Sequence, residues 1–255
     1  ALNRAVGQAI ARYDLIRDGD RILVGLSGGK DSQTLLWVLD ERRARAPVRY
    51  ELYPVYVDPG FPGGCAETLT DHCRRLGYDL QVERTDFGLR AHSPDNRENP
   101  CFLCARRRRQ RLFEIAAARG CGKLALGPNQ DDVTETLFLH MCYAGELSTM
   151  RPAQPLFGGA LTIIRPLALA PEELIRRFAR QRGFPTFANP CPSAGASKRQ
   201  AVKDLLAALY RSNRKIRGNI FRALQHVRAD YLLQPAGAGA GAPASGEADP
   251  GLDRG

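Results

Sequence analysis

Apolar positions along the chain keep two alternating rhythms. Short, nearly unbroken apolar runs over 21–26, 50–57, 78–85, 123–127 and 161–164 read as strands, several buried on both faces. Between them apolar residues recur every three to four positions. Val6, Ile10, Tyr13 and Ile16 mark a lead-in helix over 3–16, and further helices are expected over 33–39, 66–76, 101–119, 132–143 and 171–182. Gly120 suits the end of the 101–119 helix, Pro166 stops the last strand, and Pro171 suits the first turn of a helix. This alternation predicts an α/β fold: an open, mainly parallel, doubly wound sheet with helices on both faces. Two more helices, over 198–210 and 215–228, follow the last strand–helix pair. The expected division is an α/β domain over 1–187, a late loop and basic C-terminal helices over 188–233, and a Pro/Ala/Gly-dominated tail over 234–255. The tail lacks apolar periodicity and is expected to be disordered.

Charge changes the picture. Lys and Arg number 37 against 27 Asp and Glu, a net charge of +10. Such an excess fits a polyanionic partner, most simply a nucleic acid, or equally a basic surface that aids solubility. The late helices carry much of it, in Lys198, Arg199, Lys203, Arg211, Arg214, Lys215, Arg217 and Arg222. No apolar run is long enough to cross a bilayer and no secretory h-region follows the first residue, so a cytoplasmic protein without membrane association is expected. Closely spaced cysteines there point to metal or redox work rather than disulfides.

Ser27-Gly28-Gly29-Lys30-Asp31-Ser32 joins the first strand to the first helix after it. A small, Gly-rich turn at that place gathers backbone N–H groups at the positive end of the helix dipole, which makes an anion site. It is not a Walker A loop: Val24 stands where that pattern has its first Gly, and Asp31 where it has Ser or Thr. The plain alternative is a turn with Ser32 as a helix cap. Asp58 leaves the second strand into Pro59-Gly60-Phe61-Pro62-Gly63-Gly64, and either holds a nucleotide or begins a turn.

Cys101-Phe102-Leu103-Cys104 has the spacing that aims two thiolates at one metal centre, and Cys191 stands far downstream in a Pro-bounded loop. Isolated thiols are the competing reading. Three cysteines without an obvious His partner suit a cluster with one open iron better than a closed zinc site. Cys65, Cys73, Cys121 and Cys142 have no spacing partner and read as small hydrophobes. In the Arg106-Arg107-Arg108-Arg109-Gln110-Arg111 run the side chains fan around the helix, so only some can serve a site. Arg106 is the expected phosphate contact and the rest are left to the surface or to RNA. Leu126-Gly127-Pro128-Asn129-Gln130-Asp131-Asp132 enters another helix, where its acids either bind Mg²⁺ carried by ATP or cap the helix.

Ser-Gly-Gly-Lys-Asp-Ser resembles the pyrophosphate loop, or PP-loop, of the ATP pyrophosphatases. The ordered set of that loop, the Cys pair before an Arg-rich helix, Leu126-Gly127 before Asp131-Asp132, Ile164-Arg165-Pro166-Leu167 and Cys191 resembles the tRNA 2-thiocytidine synthetases over about 3–233. The resemblance implies an adenine nucleotide α-hydrolase fold using ATP, Mg²⁺ and a three-Cys [4Fe–4S] cluster. It implies an ATP-dependent tRNA sulfurtransferase that adenylates the C2 oxygen of cytidine 32 and replaces it with sulfur. Carried over by motif, Cys101, Cys104 and Cys191 become cluster ligands and, with Lys30 and Asp31, the catalytic set. Ser27, Gly28, Gly29, Lys30, Asp31, Ser32, Asp58, Arg106, Gly127 and Asp132 become the nucleotide site. A sulfur donor, either a cysteine desulfurase or sulfide, and a homodimer are further expectations. Two departures stand out: Pro128 occupies the family's usual His position, and Ala194 replaces the second Cys of a late Cys-x-x-Cys. The alternatives are a PP-loop amidotransferase or ligase without a cluster, and a non-catalytic metal-containing RNA-binding protein.

Overall fold

A computed structural model gives the fold and describes residues 1–187, 190–193 and 198–233. The expected tail and Ala194 lie outside the described residues. In chain order the elements are α1 (Leu2–Tyr13), β1 (Asp20–Leu26), α2 (Lys30–Arg43), β2 (Tyr50–Asp58), α3 (Ala66–Arg75), β3 (Gln81–Arg84), α4 (Phe87–Ala91) and α5 (Pro100–Ala118). They continue as β4 (Lys123–Ala125), α6 (Gln130–Leu139), β5 (Ala153–Leu156), β6 (Leu161–Ile164), α7 (Glu172–Gln181), α8 (Lys198–Ser212) and α9 (Lys215–Ala223).

Among the described residues one six-stranded sheet runs in the order β3-β2-β1-β4-β6-β5. All its pairings are parallel except β5 with β6. The pleat sends alternate residues of β1 into separate cores. Ile22, Val24 and Leu26 pack with Val6, Leu35, Leu39 and Ile175 from α1, α2 and α7. Leu23 packs with Val55, Val57, Leu124, Ile115 and Ala116 on the other face, under α5. Both faces are apolar, which is why these strands read as continuous hydrophobic runs. Each fully buried Leu or Ile contributes about 1.5–3 kcal/mol relative to exposure.

Chain order reverses between β1 and β4, so a crevice opens above their carboxyl ends, where ligands bind in open α/β sheets. Three features differ from the sequence expectation. β5, Ala-Gln-Pro-Leu, lacks a strand pattern, yet Pro155 is tolerated on this antiparallel edge. α4 forms inside the expected 86–100 loop. The helix expected over 132–143 begins at Gln130 and turns π-helical over His140–Ala144.

Candidate nucleotide and thiolate site

The loop Ser27-Gly28-Gly29 leaves β1 and delivers Gly29 as the N-cap of α2. Ser32 folds back on it: its Oγ accepts from the Ser27 N–H at 3.1 Å and donates to the Gly29 carbonyl at 3.0 Å. Ser32 therefore braces the loop from inside and is buried. Gly28 has φ +79°, and a Cβ there would stand 2.7 Å from Cys65 Sγ and 3.2 Å from the Phe187 ring. Only glycine accepts that backbone and that crowding together. Gly127 lets the β4–α6 loop come close as well, since a Cβ would lie 3.2 Å from the Ser32 N atom.

Lys30 at the first helical position bonds Asp31 Oδ2 at 2.9 Å and Glu172 Oε1 at 2.8 Å. Burial would lower its pKa, but Glu172 and Asp31 hold the ammonium above the usual lysine range. It is a permanent cation beside the anion loop. Asp31 also accepts from Asn129 Nδ2 at 3.0 Å, tying α2 to the start of α6.

The α6 acids do structural work. Asn129 and Asp132 form a capping box, with Asn129 accepting from the Asp131 and Asp132 N–H groups and Asp132 Oδ2 accepting from the Asn129 N–H at 2.9 Å. Burial pushes the Asp132 carboxyl up, against the bond from Asn129. Asp131 accepts the Glu172 N–H at 2.7 Å and faces Arg217 at 3.5 Å. Asp58 keeps both of its readings: Oδ1 accepts from the Gly60 N–H at 2.9 Å, and the same side chain lines the cleft.

That cleft, of about 330 Å³, is walled by the loop 27–29, Tyr56, Asp58, Phe61, Cys65, Arg108, Phe187 and Pro190. Its size suits a nucleotide-sized ligand. Arg106 is not part of the wall. It is exposed, pairs with Glu98 at 3.0 Å and lies over the Phe102 ring. Arg108 takes the place expected for Arg106, with its Nε buried and without a hydrogen-bond partner. Burial pushes the Tyr56 phenol pKa up, and the neighbouring Cys65 thiol adds to the rise.

Cys101 and Cys104 occupy the first turns of α5, whose N-cap Asn99 accepts from the Cys101 and Phe102 N–H groups at 3.0 and 3.2 Å. Separation by three positions puts both thiols on one helix face, and Arg108 falls one turn further along the same stripe. Burial raises the Cys104 thiol pKa; Cys191 and Cys101 add to the rise and Arg108 opposes it. The three thiols are thus electrostatic neighbours. Cys191 Sγ also lies 3.4 Å from His92 Nε2, a partner that sequence spacing did not reveal. Among the described residues no three His, Cys, Asp or Glu side chains close around a single metal ion. Cys101 and Cys104 on one face of α5, with Cys191 close enough to influence the Cys104 thiol, form the donor set that a cluster would take.

The late basic residues divide. Arg199 and Lys203 reach the buried Glu135 at 3.2 and 3.8 Å. Arg217 binds Asp131 and lies over the Tyr210 ring, while Lys198 lies over Tyr143. These four hold α8 and α9 to their neighbours. Arg211, Arg214 and Lys215 remain exposed.

Residues 2–210 match the family described as the PP-loop domain. The tRNA-cytidine(32) 2-sulfurtransferase of Geotalea uraniireducens is 40% identical over 91% of this chain and 93% of its own length. That of Geobacter sulfurreducens is 40% identical over 91% of each. In fold the chain is similar to the U34-tRNA thiolase NcsA from Methanococcus maripaludis, solved with its [4Fe-4S] cluster. The TM-score is 0.73 at 24% identity, covering 88% of this chain and 76% of that one.

Proposed function

This chain belongs to the PP-loop family and, within it, to the tRNA-cytidine(32) 2-sulfurtransferases, and we propose how its residues divide that work. It is an ATP-dependent tRNA sulfurtransferase. Our reading is that the C2 oxygen of cytidine 32 attacks the ATP α-phosphorus, pyrophosphate departs, a sulfide-level sulfur attacks C2, and AMP leaves with the oxygen. The observation that carries this is the meeting of two chemistries at one cleft. The anion loop, followed directly by Lys30, forms one wall, and Arg108 and Pro190, neighbours of Cys104 and Cys191, form another.

In this reading the loop N–H groups and Lys30 take up charge on the departing pyrophosphate. Glu172 holds Lys30 in place before nucleotide enters. Arg108 offers an unspent cation to the phosphates from the thiolate side. Mg²⁺ would arrive with ATP, and Asp31, the part-exposed carboxylate beside the loop, would help to hold it. A [4Fe-4S] cluster held by Cys101, Cys104 and Cys191 would keep one iron free of protein ligands and supply the place where the sulfur nucleophile is held. The donor of that sulfur is a cysteine desulfurase or sulfide itself.

The test is nucleoside mass spectrometry of tRNA from a strain lacking the gene. 2-Thiocytidine should vanish and return with the wild-type gene. Unchanged 2-thiocytidine with loss of another thionucleoside would overturn the choice of base.

The exposed cations at the end of α8 and start of α9 are the proposed contact with the tRNA backbone. Reversing Arg211, Arg214 and Lys215 to Glu should weaken tRNA binding and flatten its log–log salt dependence by about 2–3, since each lost phosphate contact removes roughly 0.7–0.9. Arg199→Glu should instead loosen α8 by placing an acid against buried Glu135. An unaltered salt slope in the triple variant would put the RNA surface elsewhere, with the exposed Arg106 and Arg107 of α5 the next place to test.

A further inference from the structure

We propose that Gln33 is a positioning residue that couples the nucleotide loop to the segment bearing Cys191. The inference rests on the reading of Cys191 as a cluster ligand. Gln33 lies in α2 and is 5% exposed, among buried Thr34, Leu35 and Leu36. A carboxamide in such a place is costly unless it is bonded. Its Nε2 donates to the Gly28 carbonyl at 2.7 Å and to the Pro185 carbonyl, 152 positions away, at 3.1 Å. Its Oε1 is buried without a hydrogen-bond partner. An apolar side chain would fill the space without that cost but would offer neither carbonyl a donor.

Both acceptors are backbone atoms, so the clamp fixes chain positions rather than side chains. Gly28 is the positive-φ residue of the anion loop. Pro185 stands six positions before Cys191, and of the residues between them 186, 187 and 190 are described. Behind Pro185, Phe184 is stacked edge-on against His72 and Phe178. Ahead of it, Phe187 packs on Gly28, and Pro190 forms part of the cleft wall. Gln33 is therefore the hydrogen-bonded tie between the peptide that receives pyrophosphate and the route to the third thiol. Phosphates that order the Gly28-Gly29 peptides would steady Pro185 and Phe187 through these contacts, and with them the cleft wall at Pro190 beside Cys191.

The test follows alkylation of Cys191 by iodoacetamide, read peptide by peptide in the iron-free full chain at saturating ATP. In the wild type ATP should slow the reaction roughly tenfold. Gln33→Met keeps the volume and removes the donors, so it should bind ATP yet show less than about a twofold effect. Gln33→Asn, too short to reach both carbonyls, carries the same expectation should the Met variant fail to fold. Leu39→Ala, a buried change on the same helix, should keep the wild-type protection. Full protection in both Gln33 variants would mean that ATP shields Cys191 directly, and would overturn the proposal. Loss of protection in Leu39→Ala as well would reduce the effect to general loosening and overturn it too. Iron retained by Cys191→Ala would count against the cluster assignment and leave the alkylation result standing.

Discussion

Gly28→Ala is expected to lower ATP-dependent tRNA thiolation by at least ~100-fold while leaving a folded chain, because small displacements of reacting groups cost about that much. A Cβ at φ +79° adds strain of roughly 1–2 kcal/mol for an L-residue. It would also stand 2.7 Å from Cys65 Sγ, and the Phe187 ring at 3.2 Å closes the other way out. The loop must then move, and with it the N–H groups that meet pyrophosphate. Gly29 is the internal control. Its φ of −69° is ordinary, and the nearest atom to an added Cβ is Ser27 Oγ at 3.4 Å. Gly29→Ala should lose less than about tenfold, consistent with a change that adds no backbone strain. Pyrophosphate release with tRNA present measures both. Equal losses would show that the two glycines serve only to leave room for phosphate.

The second large effect concerns iron. Anaerobically reconstituted wild-type chain should hold about four irons, and Cys101→Ala, Cys104→Ala or Cys191→Ala should each lose most of them. Cys142→Ala, exposed on the π-helical turn, should keep its iron. Cys65→Ala is the more searching control. Its thiol lies against the nucleotide loop beside Tyr56, so this variant should retain iron even if turnover changes. One zinc per chain in place of iron would end the cluster assignment.

Much of this architecture was legible because the strands are buried on both faces. A run such as Ile22 to Leu26 then has no polar interruptions, and the loop that follows is marked by its glycines. The Arg choice was legible in principle. Cys101, Cys104 and Arg108 fall at i, i+3 and i+7 on one helix stripe, whereas Arg106 faces away, so helical geometry alone favours Arg108. Other features had no local signal. β5 carries a proline and no alternation, and its strand character comes from pairing with β6. Lys30 with Glu172, Gln33 with Pro185 and His92 with Cys191 are contacts between distant positions, made only once the sheet has brought loop ends together. Asp131 and Asp132 show the opposite difficulty: two readings fit one sequence, and the structure adds that Asp132 closes the capping box while the Asp131 carboxylate ties the helix start to α7 and α9.

β5 also bears on how the folded chain behaves at high concentration. A parallel sheet that ended on β6 would expose a row of unmatched amide groups to any passing strand. β5 covers that row with four residues, and the one at Pro155 has no N–H to offer. Strand-by-strand polymerisation from this margin therefore meets a short, proline-interrupted template. A variant Pro155→Val would restore the missing donor and should form oligomers more readily as the chain is concentrated or gently warmed.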